Sequence, residues 1–137
     1  MLHEAITQDI IGAAMAVLSE LKPGLDEKLY ERALVIELLA RGHVVDQQRT
    51  FPVYYQNQLI GKLTPDLIVD GLVIADPKVV SAFNETHIGQ MLGYLAITGS
   101  EVALLLSFKE AMLRWKRVIR ERKKIGTADI TDIADGK

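Results

Sequence analysis

The chain has 137 residues, of which 49% are hydrophobic and 25% charged, with a formal net charge of -2 and no cysteine. At this length about two-thirds of the unfolded surface can be buried, so one domain with its own core needs no staples. Disulfides and thiolate metal sites are excluded, any metal must take oxygen or imidazole ligands, and no overall basic balance advertises a polyanionic partner.

The stretch MLHEAITQDIIGAAMAVLSEL has no basic start, and Glu4 and Asp9 interrupt it, so it does not read as a secretory leader. No apolar run reaches membrane-spanning length, and a cytoplasmic protein without membrane contact is expected. Ile6, Ile10, Ala13, Ala14, Val17, Leu18 and Leu21 recur at helical spacing and predict a helix over 4–21, ended by Pro23 and Gly24. A second helix is expected from 25 to 41, with Leu29, Ala33, Ile36, Leu38, Leu39 and Ala40 as its apolar stripe and Gly42 as its stop.

From His43 the composition turns β-branched and aromatic. Turns at Gln56-Asn57 and Asp70-Gly71 divide it into three antiparallel strands, roughly 44–55, 58–69 and 72–80. NETHIGQMLGYLAITG predicts a helix capped by Asn84 and stopped by Gly99. EVALLLSF reads as a strand buried on both faces. KEAMLRWKRVIRERKK fits a helix through Met112, Trp115 and Ile119, but Leu113, Trp115, Arg117 and Ile119 alternate; a strand to about 119 and then a basic end is preferred. The order α-α-β-β-β-α-β-β predicts an α/β (α+β) fold, a mixed sheet of about five strands flanked by helices with a helical crossover. The expected domain spans 1–125, with a small acidic flexible tail over 126–137.

Asp66 and Asp76 flank the Asp70-Gly71 turn, and Lys78 follows two residues on. With a two-residue turn, Asp66 would oppose Ala75 and Asp76 would point to the other face. With a three-residue loop of Val69, Asp70 and Gly71, Ile68 would pair with Leu72, and Asp66, Asp76 and Lys78 would share one face with the two aspartates diagonal. Exposed aspartates are commoner than site aspartates. Here, however, Asp76 and Lys78 interrupt an apolar strand, where a buried charge must be paired or bound to metal. Lys78 could serve simply as an ion-pair partner. Carboxylates suit Mg²⁺ or Mn²⁺, and such a site with a neighbouring lysine fits metal-assisted phosphodiester hydrolysis.

Gly24-x-x-Glu27-x-x-Tyr30 resembles the signature of the GxxExxY proteins, a bacterial group within the PD-(D/E)xK nuclease-like superfamily. The resemblance runs over about 4 to 120. It takes in IIGAAMAVLSELKPGL, the VYYQNQLIG hairpin, the Asp66 strand, Asp76-Pro77-Lys78, His87-x-x-Gln90 with Tyr94-Leu95, and the LLLSF and KRVI strands. It implies a restriction-endonuclease-like core whose central hairpin carries Asp66, Asp76 and Lys78, with Asp66 and Asp76 as metal ligands. It also implies that Glu27 is a further acid projecting into the same cleft with Tyr30 beside it, and that Gln90, His87 and Tyr94 line that cleft. The helical spacing of 87, 90 or 91, and 94 supports one shared face independently, although a satisfied core histidine and a surface glutamine would look the same. Basic residues between Arg114 and Lys124, including Arg114, Lys116 and Arg117, could track phosphates, or form a solvated face mixed with Glu121.

The sequence departs from the family pattern in three places. Asp76-Pro77-Lys78 stands where Glu-Leu-Lys is usual, and Pro77 should remove a ladder donor and kink the strand. Thr64-Pro65 replaces a usual basic residue, and Ser107-Phe108-Lys109 replaces NFG. The expected function is therefore a Mg²⁺- or Mn²⁺-dependent nuclease acting on DNA or RNA. The alternative is a catalytically impaired nuclease-fold module binding nucleic acid or a protein partner. The apolar strands could also supply a homodimer interface.

Overall fold

A computed structural model describes residues 3–121 and 130–136. The chain runs α1 (Glu4–Leu21), α2 (Glu27–Ala40), β1 (Val45–Gln47), β2 (Phe51–Tyr55), β3 (Gln58–Leu63), β4 (Leu67–Val69), β5 (Val73–Lys78), α3 (Glu85–Thr98), β6 (Val102–Ser107), β7 (Arg114–Glu121) and β8 (Ile130–Gly136). This is the mixed α+β arrangement that the element order predicts. The main sheet has strand order β1-β4-β5-β6-β7-β8. Among the described strands only β5 and β6 pair in parallel, and a parallel pair needs a long crossover, which α3 provides.

The burial of β6 explains its unbroken VALLLS sequence. Val102, Leu104 and Leu106 pack with α1 and α2, while Ala103 and Leu105 join Met91 and Leu95 of α3, so each of its five apolar residues meets a core. With β6 inside the sheet and β7 flanked by β8, neither strand offers a free edge for the homodimer expected from them. β8 occupies 130–136, within the stretch read as a tail; residues 126–129 and 137 lie outside the described residues.

Two expectations need correcting. The strands foreseen over 44–55 and 58–69 are each divided. Gln48 takes a left-handed φ of 60°, which breaks β1 from β2, and Thr64-Pro65 separates β3 from β4. As a result β2 and β3 leave the main sheet as a separate hairpin closed by Gln56 and Asn57, both at positive φ. The α2 stripe is also rotated. Tyr30, Leu34, Val35 and Leu38 face the core, whereas Ile36 is 69% exposed and Leu39 53%.

α3 begins on a reciprocal cap. The Asn84 side chain accepts from the His87 N–H at 2.9 Å, and the Asn84 N–H donates to His87 Nδ1 at 3.1 Å. Asn84→Ala is expected to cost about 1 kcal/mol, seen as a lower urea midpoint at unchanged slope. This cap matters to function because α3 lies over one end of β5.

Candidate active site

The β4–β5 turn decides which side chains meet. Asp70 and Gly71 have φ of 54° and 68°, and the Leu72 N–H closes onto the Val69 carbonyl at 3.0 Å. Two successive positive φ angles give a tight hairpin turn. The register matches neither alternative considered above. Leu72 stays outside the ladder, and Val69 pairs with Val73, Ile68 with Ile74 and Leu67 with Ala75. The ladder ends at Leu67, and carrying its register one residue further brings Asp66 opposite Asp76 rather than diagonal to it, in keeping with the action of Asp66 on the Asp76 carboxyl. Packing selects this register. It buries Leu67, Val69, Val73 and Ala75 against α1 and α2, buries Ile68 and Ile74 against α3, and exposes only Leu72.

Asp66, Asp76 and Lys78 share the α3 face by strand alternation. Asp76 is 2% exposed, and its Oδ1 is buried without a hydrogen-bond partner. Lys78 Nζ lies 3.5 Å from that oxygen, in ion-pair range but without hydrogen-bond geometry. Burial pushes the Asp76 carboxyl up to about 7, the charge of Asp66 adds to this, and Lys78 opposes it. Two facing carboxylates of this kind are poorly neutralised by one lysine. The pair therefore fits a hard divalent cation, which would take up the orphaned oxygen. The side chains that could hold such an ion here are the two aspartates; among the described residues no group of three or more His, Asp or Glu able to hold a metal is found.

Pro77 does not kink the strand. β5 runs unbroken through Pro77, which pairs with Leu106, and Lys78, which pairs with Ser107. The Lys78 carbonyl accepts from the Phe108 N–H at 3.0 Å, so Lys78 turns its backbone polar groups toward β6. Those of Pro77 consequently turn toward β4, where the ladder has already ended at Leu67. Continuing that register sets Pro77 against Pro65, and neither has an N–H to lose.

The cleft is completed from two helices. On α3, Gln90 Oε1 lies 3.4 Å from Lys78 Nζ, and Gln90 Nε2 donates to the Tyr94 hydroxyl at 3.0 Å. Burial raises the pKa of the Tyr94 hydroxyl, and the charges of Asp76 and Asp66 raise it further, so it lies within electrostatic reach of the pair. Glu27 is the first residue of α2. Although it is largely exposed, burial on its cleft side raises its carboxyl; Lys78 lowers it, Asp66 and Glu31 raise it, and the Val79 N–H donates toward it. Glu27 therefore sits within electrostatic reach of both Asp66 and Lys78.

This ordered constellation agrees with an independent comparison: the family model for the PD-(D/E)XK nuclease superfamily matches residues 4–118. The chain belongs to the PD-(D/E)XK nuclease superfamily. No curated protein and no solved structure matches it significantly.

Within this superfamily fold, several residues expected in the cleft have other work. Tyr30 is fully buried and stacks on Phe108 with centroids 4.8 Å apart. Its hydroxyl donates to the Lys22 carbonyl at 2.6 Å and accepts from the Leu25 N–H at 3.1 Å. It thus fixes the Pro23-Gly24 turn ahead of Glu27 and is out of reach of a substrate. Tyr30→Phe is expected to lower stability by about 1–2 kcal/mol in urea denaturation and to leave cleft chemistry intact. His87 spends Nδ1 on the α3 cap, and its ring meets Phe83 edge-on. Burial and then the Lys78 charge lower its pKa, so it is a neutral wall near Lys78.

The basic residues of β7 divide by strand alternation. Lys116 pairs with Leu105, which pairs with Asp76, and Arg114 pairs with Ser107, which pairs with Lys78. Both therefore share the carboxylate face, two strands or about 10 Å away. Arg114 also bonds Glu110 at 3.2 Å. Arg117 is 2% exposed and pairs with Leu104 on the α1–α2 face, so it cannot track phosphate beside the pair. Arg122, Lys123 and Lys124 lie outside the described residues.

Glu31, one turn beyond Glu27 on the same helical face as its i, i+4 spacing predicts, is buried beside Glu27 and held by Lys28 at 3.2 Å. One supporting contact has no such signal. The Ser107 hydroxyl donates to the Val80 carbonyl at 2.6 Å and accepts from the Val80 N–H at 3.1 Å, which pins the chain leaving Lys78. Its partner across a parallel pair has no local sequence signal.

Proposed function

We propose that the protein is a Mg²⁺- or Mn²⁺-dependent nuclease that hydrolyses phosphodiester bonds in DNA or RNA. The observation that carries this reading is the buried, hydrogen-bond-free Asp76 Oδ1 facing a second carboxylate beside Lys78. Asp66 and Asp76 would hold the cation, which when bound acidifies a water and offsets charge on the phosphoryl oxygens. Lys78 stands beside the pair and supplies a fixed positive charge for the developing negative charge of the transition state. Gln90, tethered by Tyr94, orients Lys78 or the attacking water through its amide. Glu27 adds an acceptor within electrostatic reach of Lys78 and Asp66. Arg114 and Lys116 extend the same face toward the flanking phosphates, and their charges serve affinity rather than chemistry.

Labelled single- and double-stranded DNA and RNA, incubated with Mg²⁺ or with chelator, test the reading. Metal-dependent cleavage that disappears in Asp66→Asn supports it. Absence of cleavage for every nucleic-acid form, with binding retained, would favour the alternative of a binding module. Cleavage that survives Asp66→Asn would move the chemistry to another site.

A further inference from the structure

A second charged cluster lies at the turn end of the β4–β5 hairpin. The half-buried His43 ring meets a carboxylate at each nitrogen. Asp70 Oδ2 is 2.6 Å from Nδ1, and Asp9 Oδ2 contacts Nε2. An ionised carboxylate only accepts, so both bonds exist together only when both ring nitrogens carry protons; the ring is then an imidazolium. Around it, Arg41 bonds Asp9 Oδ1 at 2.8 Å and Glu37 at 3.0 Å. Asp70 Oδ1 accepts from the Val44 N–H at 2.9 Å, and the Asp70 N–H donates to the Val44 carbonyl at 2.8 Å. The cluster thus joins α1, the end of α2, the start of β1 and the hairpin turn.

We infer that Asp9, His43 and Asp70 form an ionic latch that holds the turn in the register placing Asp66 opposite Asp76, so that His43 and Asp70 are positioning residues for the carboxylate pair. Asp70 has a left-handed φ of 54°, a conformation that aspartate tolerates in a tight turn. Three hydrogen bonds to His43 and Val44 tie it in place there. A slip of one residue at this turn would set Asp66 against Ala75 and send the two carboxylates to opposite faces. The inference rests on Asp66 and Asp76 being the site, but the latch is testable without metal or substrate.

The groups facing His43 are Asp9 from α1 and Asp70 from the turn, with Arg41 and Glu37 beyond Asp9. Hydrogen bonds to Asp9 and Asp70 raise the His43 pKa. Those from His43 and Arg41 lower that of Asp9. Burial acts upward on Asp70, but His43 and Val44 bring it below its ordinary value. A raised histidine stabilises fully below its unfolded value and loses that contribution as pH rises through the folded one; lowered aspartates lose theirs as pH falls through their folded values. The latch is therefore closed between those limits and opens on the alkaline side of His43.

Nuclear magnetic resonance on the metal-free full chain tests this. At a pH of about 6.5, both His43 ring nitrogens should be protonated, and an Hα–Hα contact should link Asp66 and Asp76. Asp70→Asn, which tolerates the left-handed turn, and His43→Gln should each weaken that contact and speed exchange of the Val73 and Ala75 amides about tenfold. Raising the pH past the His43 midpoint should do the same in the wild type but not in His43→Gln. A neutral ring at that pH, or folded variants with unchanged contact and exchange, would overturn the latch. Neither outcome bears on whether the chain cleaves nucleic acid.

Discussion

Asp76→Asn is expected to abolish metal-dependent cleavage and, in the same molecule, to make the metal-free protein more stable above neutral pH. The first effect follows from losing one of two carboxylate donors, and the residual rate should be at least about 10³-fold lower. The second follows from burial. The folded Asp76 carboxyl keeps its proton up to about 7, whereas in the unfolded chain it is released near about 3.9. Between those values the folded state binds more protons than the unfolded state, so wild-type stability falls as pH rises. Asparagine carries no charge to desolvate and escapes that loss, a difference on the order of a few kcal/mol at pH 8. Urea denaturation in chelator at pH 5 and pH 8 should show the gap between variant and wild type widening with pH. Parallel profiles would mean that Asp76 is already ionised and satisfied without metal. Metal affinity should rise across the same interval, because the ion competes with that proton.

Lys78→Ala should lower cleavage about 10²–10³-fold while leaving the fold intact. Lys78 opposes the upward shift of Asp76, so its removal lets Asp76 hold its proton to higher pH, and the midpoint for metal binding should move upward. The Lys78 charge also contributes to lowering His87, so the His87 imidazole should titrate at higher pH in the variant. That second signal comes from a residue outside the pair and needs no activity. If His87 titrates unchanged, Lys78 does not point into the cleft as described. Lys78→Arg restores charge with a different shape, and its recovery of rate measures how far position matters beyond charge.

Much of the architecture was legible because its signals are local. The α1 stripe, the Asn84 cap, the Gly99 stop and the doubly buried β6 each depend on residues within a few positions of one another. The α2 face was misread because Leu29, Ile36 and Leu39 look like core, whereas Tyr30 displaces them by stacking on Phe108, far away in sequence. The hairpin register failed for a similar reason. Asp70-Gly71 announced a turn, but only packing on both faces of the sheet could show that Leu72 is left out of the ladder. Pro77 looked disruptive in isolation, but it keeps its place beside Leu106 and its missing N–H faces β4 beyond the end of that ladder at Leu67. Among the site residues, Asp66, Asp76, Lys78, Gln90 and Tyr94 do gather, with Glu27 at the edge. Arg117 and Tyr30 belong to the opposite core, because one step of strand alternation or a third of a helical turn reverses a side chain.

The most direct test is an anomalous difference map from crystals soaked in Mn²⁺ above pH 7.5. A single peak between the Asp66 and Asp76 carboxylates, absent from Asp76→Asn crystals, is the predicted result. Full ionisation of the pair with no peak there, or a peak at another cluster alone, would contradict the metal-dependent site.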